Sequence, residues 1–459
     1  MSRPELAFMS AAEAGRRFRA GTLTPLELVQ DLAERTHEQD GLLRSTITLA
    51  FESAVHGAEA AGAEIRRGEW PGPLHGIPFG VKDCIATAGI RTTANSRLLA
   101  GRVPSRDAPS VTALRRSGAI VLSKLNLNEF AWSIPSEQDL NPPPRNPWRP
   151  EGFAMGSSSG SAVAVASGLC PFALGTDAGG SVRQPAANCG VLGLKPTHGL
   201  VPSTGAFGPP SICEVGPIAR SIEDLAIVMD AMTHRDVHLD ALAGGSPRPR
   251  VGVLRSYAED AGAHPDVMAA FEAALGVLAA TGAEVRDVRI ENLADAAAAD
   301  FIVLNAEAFA LHEATLRAQP QTYGPSARIY QTQGAFLSAA DYIAALRVGR
   351  MVGENIDLAL REHDILVSPV APLLTAEAGR QAKARPHTGG LAVFTAPFNL
   401  TGHPALAMPC GISGLGVPVG LQLIGRRGGE VDLLRIGRLY EESTPWSALR
   451  PPPIPAPIS

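Results

Sequence analysis

The stretch from Phe153 to Thr197, FAMGSSSGSAVAVASGLCPFALGTDAGGSVRQPAANCGVLGLKPT, constrains this chain more than any other. It is rich in serine and glycine, low in charge, and shows no helical or strand period across its glycines. Runs of this composition usually form flexible linkers. This one is broken by apolar runs (AVAVA, FALG, VLGL) that must be buried. A buried Gly/Ser segment implies backbone N–H groups and hydroxyls gathered around something small. It marks a candidate active site.

Composition sets the frame. With 459 residues, 45% hydrophobic and 19% charged, the chain can build a large core and is not disordered. A net charge of −5 and a pI near 6.1 give no argument for a nucleic-acid or anionic-membrane partner, and none is expected. No apolar run approaches the roughly 18 residues of a membrane span. No signal peptide is read at the N-terminus. The five cysteines (84, 170, 189, 213, 410) are scattered and form no CxxC, so neither a zinc site nor a disulfide framework is indicated. No metal and no cofactor are expected, and a reducing cytoplasm is the simplest setting.

Alternating helices and short apolar strands predict one large α/β domain, with a central mixed β-sheet covered by helices on both faces. Thr24-Pro25-Leu26-Glu27 reads as a capping box. Helices are expected over 47–67, 108–117, after Ser161, from Ser221, near 265–280, over 294–318 and 339–362, and at 431–442. Strands are expected over 79–85, 119–123, 251–254, 284–290 and 364–370, and in FALGTD, VLGLKPT, ALAMPCG and PVGLQLIG. Within the single domain 1–459, the expected parts are N-terminal helices (1–68), a core (74–232) and a partly helical insert or cap (245–362). Returning strands and a last helix (363–450) and a Pro-rich tail (451–459) complete it.

Two features of the opening stretch carry chemistry. In GTDAGGSVR, two glycines precede Ser181, a pattern that lets the backbone turn tightly and aim successive N–H groups at one spot, as an oxyanion hole requires. An ordinary Gly-rich turn is the alternative. In GSSSGS (156–161), the serines open a helix; one cap needs one serine, and four in five positions is an excess. There is no Gly-Lys-Ser/Thr ending, which argues against a nucleotide loop. The same run matches G-x-S-x-G with Ser158 at its centre, which would pair with Asp364 and His403. PWRPEGFAM before it does not read as the strand that such an elbow needs.

A serine nucleophile needs a base. Of the 40 basic residues only Lys82, Lys124, Lys195 and Lys383 are lysines. Lys82, in IPFGVKDCI, has the most apolar surroundings. Strand alternation turns Asp83 to the opposite face, so Asp83 need not hold Lys82 charged. Acting as a base near pH 7 requires a drop of roughly three units from ~10.4, which burial can supply. A structural lysine bound to carbonyls or to an acid is the other reading.

At this point several ordered blocks, GIPFGVKD, KLNLNEFA (124–131), GSSSGSAVAVASG, GTDAGGSVRQPAANCGVLGLKPTHGLVP and GPIARSIEDLA (216–226), resemble the amidase signature hydrolases. The resemblance implies a Ser–cis-Ser–Lys triad: Ser181 as nucleophile, Ser157 as bridging serine after a cis Gly156–Ser157 bond, and Lys82 as base. It implies an oxyanion hole from the N–H groups of Ala178, Gly179, Gly180 and Ser181, with Ser158 in support. Asp177 and Arg183 flank this loop and are expected to pair and brace it, since their apolar flanks argue against two solvated charges. One departure is Ser159, where the family usually has glycine.

The expected function is hydrolysis of a carboxamide C–N bond through an acyl-enzyme, on a small-molecule amide substrate. A homodimer is left open. The alternatives are the amidase component of a tRNA-dependent amidotransferase (its A chain), from which GAFGPPSICEVGPIAR looks different, and a hydrolase of urea-like amides of the carboxybiuret or allophanate type. Substrate choice is expected from loop 131–155 and helices 300–350, with Trp132 and Met155 as pocket walls or core residues. His387, His403 and Arg328 are further polar candidates.

Overall fold

The computed structural model describes residues 3–244, 248–374 and 390–453. Lys383, His387 and the end of the Pro-rich tail lie outside the described residues.

An 11-stranded mixed sheet runs through the molecule. Its spatial order is Thr46–Leu49, Ile120–Leu125, Pro78–Lys82, Phe172–Asp177, Glu214–Ala219, Leu192–Lys195, Ala405–Ile412, Pro418–Ile424, Ile365–Pro369, Arg250–Val253 and Glu284–Asp287. Pro78–Lys82 lies parallel to both of its neighbours, Ile120–Leu125 and Phe172–Asp177. All three are buried along their whole length, which is why they read as nearly continuous apolar runs. Phe79 and Phe172 stack across the two inner strands with ring centroids 5.1 Å apart. The carboxyl ends of these parallel strands bring Lys82 and Asp177 to one edge of the sheet, the place where open α/β sheets bind ligands.

Most expected elements are present. The capping box at Thr24–Glu27 forms in full, and helices Leu293–Ala318 and Ala339–Glu362 lie where the helical pattern puts them. Three readings are corrected. The helix expected over 47–67 is Phe51–Arg66, because the β-branched TITL before it forms strand Thr46–Leu49 against Ile120–Leu125. Glu214–Ala219 is a strand that the sequence does not announce, since Gly216 and Pro217 read as breakers. It is central: a Cβ at Gly216 would lie 2.1 Å from the Leu194 carbonyl oxygen, so the neighbouring strand itself demands glycine. Arg149–Phe153 also forms a strand, in a separate two-stranded sheet with Arg145–Asn146. No helix among the described residues is long and apolar enough to cross a membrane.

Phe172 is fully buried under this stack, so Phe172→Ala is expected to cost about 3–5 kcal/mol of unfolding free energy. Urea denaturation checks it; a cost below about 1 kcal/mol would show that the strand stack carries little of the core.

Candidate active site

The site forms where Pro78–Lys82 and Phe172–Asp177 end beside the start of helix Ser159–Ala166. Lys82 is completely buried. Its Nζ lies 2.8 Å from Ser157 Oγ, 2.8 Å from Thr176 Oγ1 and 3.4 Å from the Thr176 carbonyl oxygen. Burial pulls its pKa below that of an ordinary lysine. No carboxylate among the described residues pairs with it. Its titratable neighbours are Cys84 and Cys213, both thiols that burial pushes up, and Asp177, which is committed elsewhere. The strand expected to run to Ile85 ends at Lys82, so Asp83 sits in the turn that follows. It turns to Thr93, accepting from its N–H and hydroxyl at 2.8 and 2.6 Å, and does not pair with Lys82.

Lys124 and Lys195 show the other fate of a buried lysine. Lys124 Nζ donates to the Ile85 carbonyl, Thr87 and Thr92 at 2.7–3.0 Å and sits 3.6 Å from Asp83; burial lowers its pKa to about 8. Lys195 donates to the Pro196 carbonyl and lies 3.8 Å from Glu214. Each has an acid beside it in addition to its neutral acceptors. Lys82 is held by hydroxyls and one carbonyl.

Ser157 follows a cis peptide bond after Gly156. The turn is wedged from two sides. A Cβ on Gly156 would fall 2.6 Å from Asn128 Oδ1, and one on Gly160 would fall 2.4 Å from the Asn126 backbone nitrogen. The KLNLNEFA block therefore acts as the bed on which the serine turn lies. Ser158 pins the turn to the sheet: its hydroxyl donates to the Thr176 carbonyl at 3.1 Å and accepts from the Thr176 N–H at 3.2 Å. Its own N–H donates to the Ser181 carbonyl at 3.1 Å, which fastens the Ser157 turn to the Ser181 loop. The hydroxyl of Ser159, which stands in place of the usual glycine, is buried and makes no hydrogen bond among the described residues.

Ser181 ends the loop Ala178-Gly179-Gly180-Ser181, in which Gly180 takes φ +126°, a conformation that favours glycine. Asp177 braces this loop. Its carboxylate accepts from the N–H groups of Gly180, Val182 and Arg183 and is paired with Arg183 Nη2 at 2.9 Å. Burial pushes the Asp177 carboxyl up, but the Arg183 charge and hydrogen bonds outweigh it and hold the group well below the usual carboxylate range. Arg183, fully buried, also donates to the Thr395 carbonyl, Gln422 Oε1 and Asn399 Oδ1 at 2.5–3.0 Å.

The expectation of four oxyanion donors is thereby narrowed. The Gly180 N–H is spent on Asp177 at 2.7 Å. The N–H groups of Ala178, Gly179 and Ser181 make no hydrogen bond among the described residues.

The remaining candidates separate. Trp132 is half-buried, donates from Nε1 to Asn305 Oδ1 at 3.0 Å and packs on Phe301 and Tyr330. It shares an apolar cluster with Ala178, Ala299, Val303 and Leu304, so it stands beside the loop. Met155 is buried just before the cis bond. Arg328 is exposed. Asp364 pairs with Arg250, and buried His403 contacts Thr401 and Asp357, with burial pulling its pKa to about 4. Ser158 therefore has neither as a partner, and the elbow reading fails. Thr176, Thr395, Asn399 and Gln422 carry much of the bracing, yet nothing in their local sequence marks them.

Residues 27–434 match the amidase family. The chain belongs to that family. It is an amidase-type enzyme acting on amide C–N bonds. The glutamyl-tRNA(Gln) amidotransferase of Chloroflexus aggregans has an A chain to which it is 35% identical, over 97% of this chain and 99% of that one. The peptide amidase of Stenotrophomonas maltophilia superposes with a TM-score of 0.82 at 31% identity, covering 97% and 98% of the two chains. A structure tied to the origins of an s-triazine catabolic enzyme superposes with a TM-score of 0.87 at 29% identity, covering 95% and 98%.

These relatives correct the expectation that excluded nucleic acid. Relatives alike along nearly the whole chain carry glutamyl-tRNA in their name. A net charge of −5 describes this chain alone and cannot exclude a tRNA handled within a complex. The unlike look of GAFGPPSICEVGPIAR is likewise outweighed by similarity over 97% of the amidase.

Removing the Arg183 guanidinium, as in Arg183→Met, leaves the Asp177 charge buried and unpaired. It is expected to destabilise the amidase by about 3–5 kcal/mol. Chemical denaturation reads this, and a loss under about 1 kcal/mol would remove the brace from the account.

Proposed function

We propose that this amidase cleaves its amide by acyl transfer to Ser181, with Ser157 and Lys82 as the proton relay. The observation that carries the proposal is the 2.8 Å contact between Lys82 Nζ and Ser157 Oγ, made by a lysine without a carboxylate partner among the described residues. In its neutral form Lys82 donates to Thr176 and keeps its lone pair for the Ser157 proton. Ser157 passes its proton to Lys82 as it takes one from Ser181, whose Oγ adds to the carbonyl carbon. The carbonyl oxygen becomes an oxyanion facing the N–H groups of Ala178, Gly179 and Ser181; removing one such donor typically costs about 10²–10³ in rate. The proton returns along the relay to the leaving nitrogen, the C–N bond breaks, and ammonia or an amine departs. Water then adds to the acyl-Ser181 ester by the same relay and frees the acid.

The destination of the nitrogen has two readings. As the amidase component of a tRNA-dependent amidotransferase, the chain would release ammonia for an aminoacyl-tRNA bound by a complex; 35% identity to such components along the chain favours this. As a free-standing amidase it would release the nitrogen to solvent; the fit to a peptide amidase and to a structure from s-triazine catabolism supports that reading, urea-like amides included. Ammonia release from glutamine or simple amides by the isolated chain supports the second. Release that requires partner proteins and charged tRNA supports the first.

Ser181→Ala is expected to lower ammonia release by several orders of magnitude while the chain stays folded. Undiminished turnover in that variant would refute acyl transfer to Ser181.

The base acts deprotonated, and burial lowers the Lys82 pKa. Activity should therefore rise with pH along a limb lying below the ~10.4 of an ordinary lysine. Lys82→Arg keeps its charge up to about pH 12 and should be inactive throughout. A kcat/KM profile from pH 5 to 10 measures both, and a fully active Lys82→Arg would exclude Lys82 as base.

A further inference from the structure

Helix Leu293–Ala318 packs against the catalytic loop through Ala299 and Val303, which share a cluster with Ala178. On the same buried face stands a carboxyl, Asp300. It is fully buried, and neither of its oxygens has a hydrogen-bond partner among the described residues. A Cβ built on Gly179 would lie 3.5 Å from Asp300 Oδ2, so the carboxyl faces the backbone of the loop that precedes Ser181.

The charges around it pair among themselves. Asp177 takes Arg183 at 2.9 Å, and Glu214 takes Lys195 at 3.8 Å and His198 at 2.5 Å. Asp300 is left without a cation among the described residues. Burial, with Asp177 and Glu214 adding to it and Arg183 opposing, pushes its carboxyl well above the usual range. An orphaned buried carboxyl is costly, and native structures retain one where something else completes it.

We infer that Asp300 is a specificity-determining residue that anchors a protonated amine on the substrate, within a few bonds of the scissile carbonyl, as in α-amino-acid amides. The inference rests on the reading of the Gly179 loop as the place where the carbonyl binds. An ammonium supplies what the site lacks. It returns the missing counter-charge, lets Asp300 ionise, and forms a charge-assisted pair away from water. A neutral substrate of the same shape leaves the carboxyl unpaired. Discrimination then comes from a polar group that only one of two isosteres satisfies, the kind that gives large ratios.

The test reads binding in the Ser181→Ala chain, where turnover is absent. Alaninamide and isobutyramide differ in carrying an ammonium or a methyl at the same position. Calorimetry at neutral pH should show alaninamide binding about tenfold or more tightly. Adding Asp300→Asn, nearly isosteric and without charge, should erase that preference while isobutyramide binding and the melting temperature hold. If Asp300→Asn does not fold, Asp300→Ser reports the same ratio. A Ser181→Ala chain without preference for alaninamide, including one that binds neither, overturns the inference, as does a preference that survives at Asp300→Asn. Failure of the acyl-transfer reading would appear separately, as wild-type chain that releases no ammonia from any amide while the binding preference stands.

Discussion

The Asp177–Arg183 pair is the interaction on which the rest of the site depends. Asp177 closes strand Phe172–Asp177, and its carboxylate gathers three N–H groups of the loop that follows. Arg183 then ties that loop to Thr395, Asn399 and Gln422, more than 200 residues further on. A planar guanidinium with five donors can hold a carboxylate, two side-chain oxygens and a carbonyl at once; a lysine in its place could not. The loop that carries Ser181 is thereby fixed before any ligand arrives, and preorganised N–H groups are what oxyanion stabilisation needs.

The buried lysines show how one residue type is given different tasks by its surroundings. Lys82, Lys124 and Lys195 are all desolvated. Lys124 and Lys195 meet Asp83 and Glu214, acids that favour the charged form. Lys82 meets Thr176 and Ser157 and has no acid paired with it, so desolvation outweighs the pull of Cys84, Cys213 and Asp177. The end of one strand separates the two outcomes: Lys82 is its last residue, and Asp83, in the turn just beyond, goes to Thr93 and Lys124.

Much of this was legible in the sequence because local pattern and chemistry coincide there. The apolar runs IPFGVK and FALGTD read as buried strands, and the glycines before Ser181 as a tight turn. The Asp177–Arg183 brace follows from two charges in apolar flanks. What was not legible depends on distant partners. Strand Glu214–Ala219 is hidden by Gly216 and Pro217, whose glycine is required by the Leu194 carbonyl of a strand that meets it only in three dimensions. The Gly180 N–H cannot be told from its neighbours until Asp177 is seen to claim it. Asp300 sits in the Ala-rich run LADAAAADFIVL. Its position on the same helical face as Ala296 and Val303 was the available signal, and a lone acid in a helix is ordinarily taken as solvated.

The reach of Arg183 also bears on when the enzyme comes into being. The three residues of the proposed proton relay lie within the first 181 positions, and a growing chain carries all of them well before it is finished. The partners that lock the loop, Asn399 and Gln422, emerge near the end, the latter 239 residues after Arg183. Glu214–Ala219, which meets Phe172–Asp177 edge to edge, must be in place as well. An incomplete chain thus bears a serine, a hydroxyl relay and a lysine with no rigid frame to aim them. On the proposed relay, amide cleavage waits for the segment that carries Asn399 and Gln422.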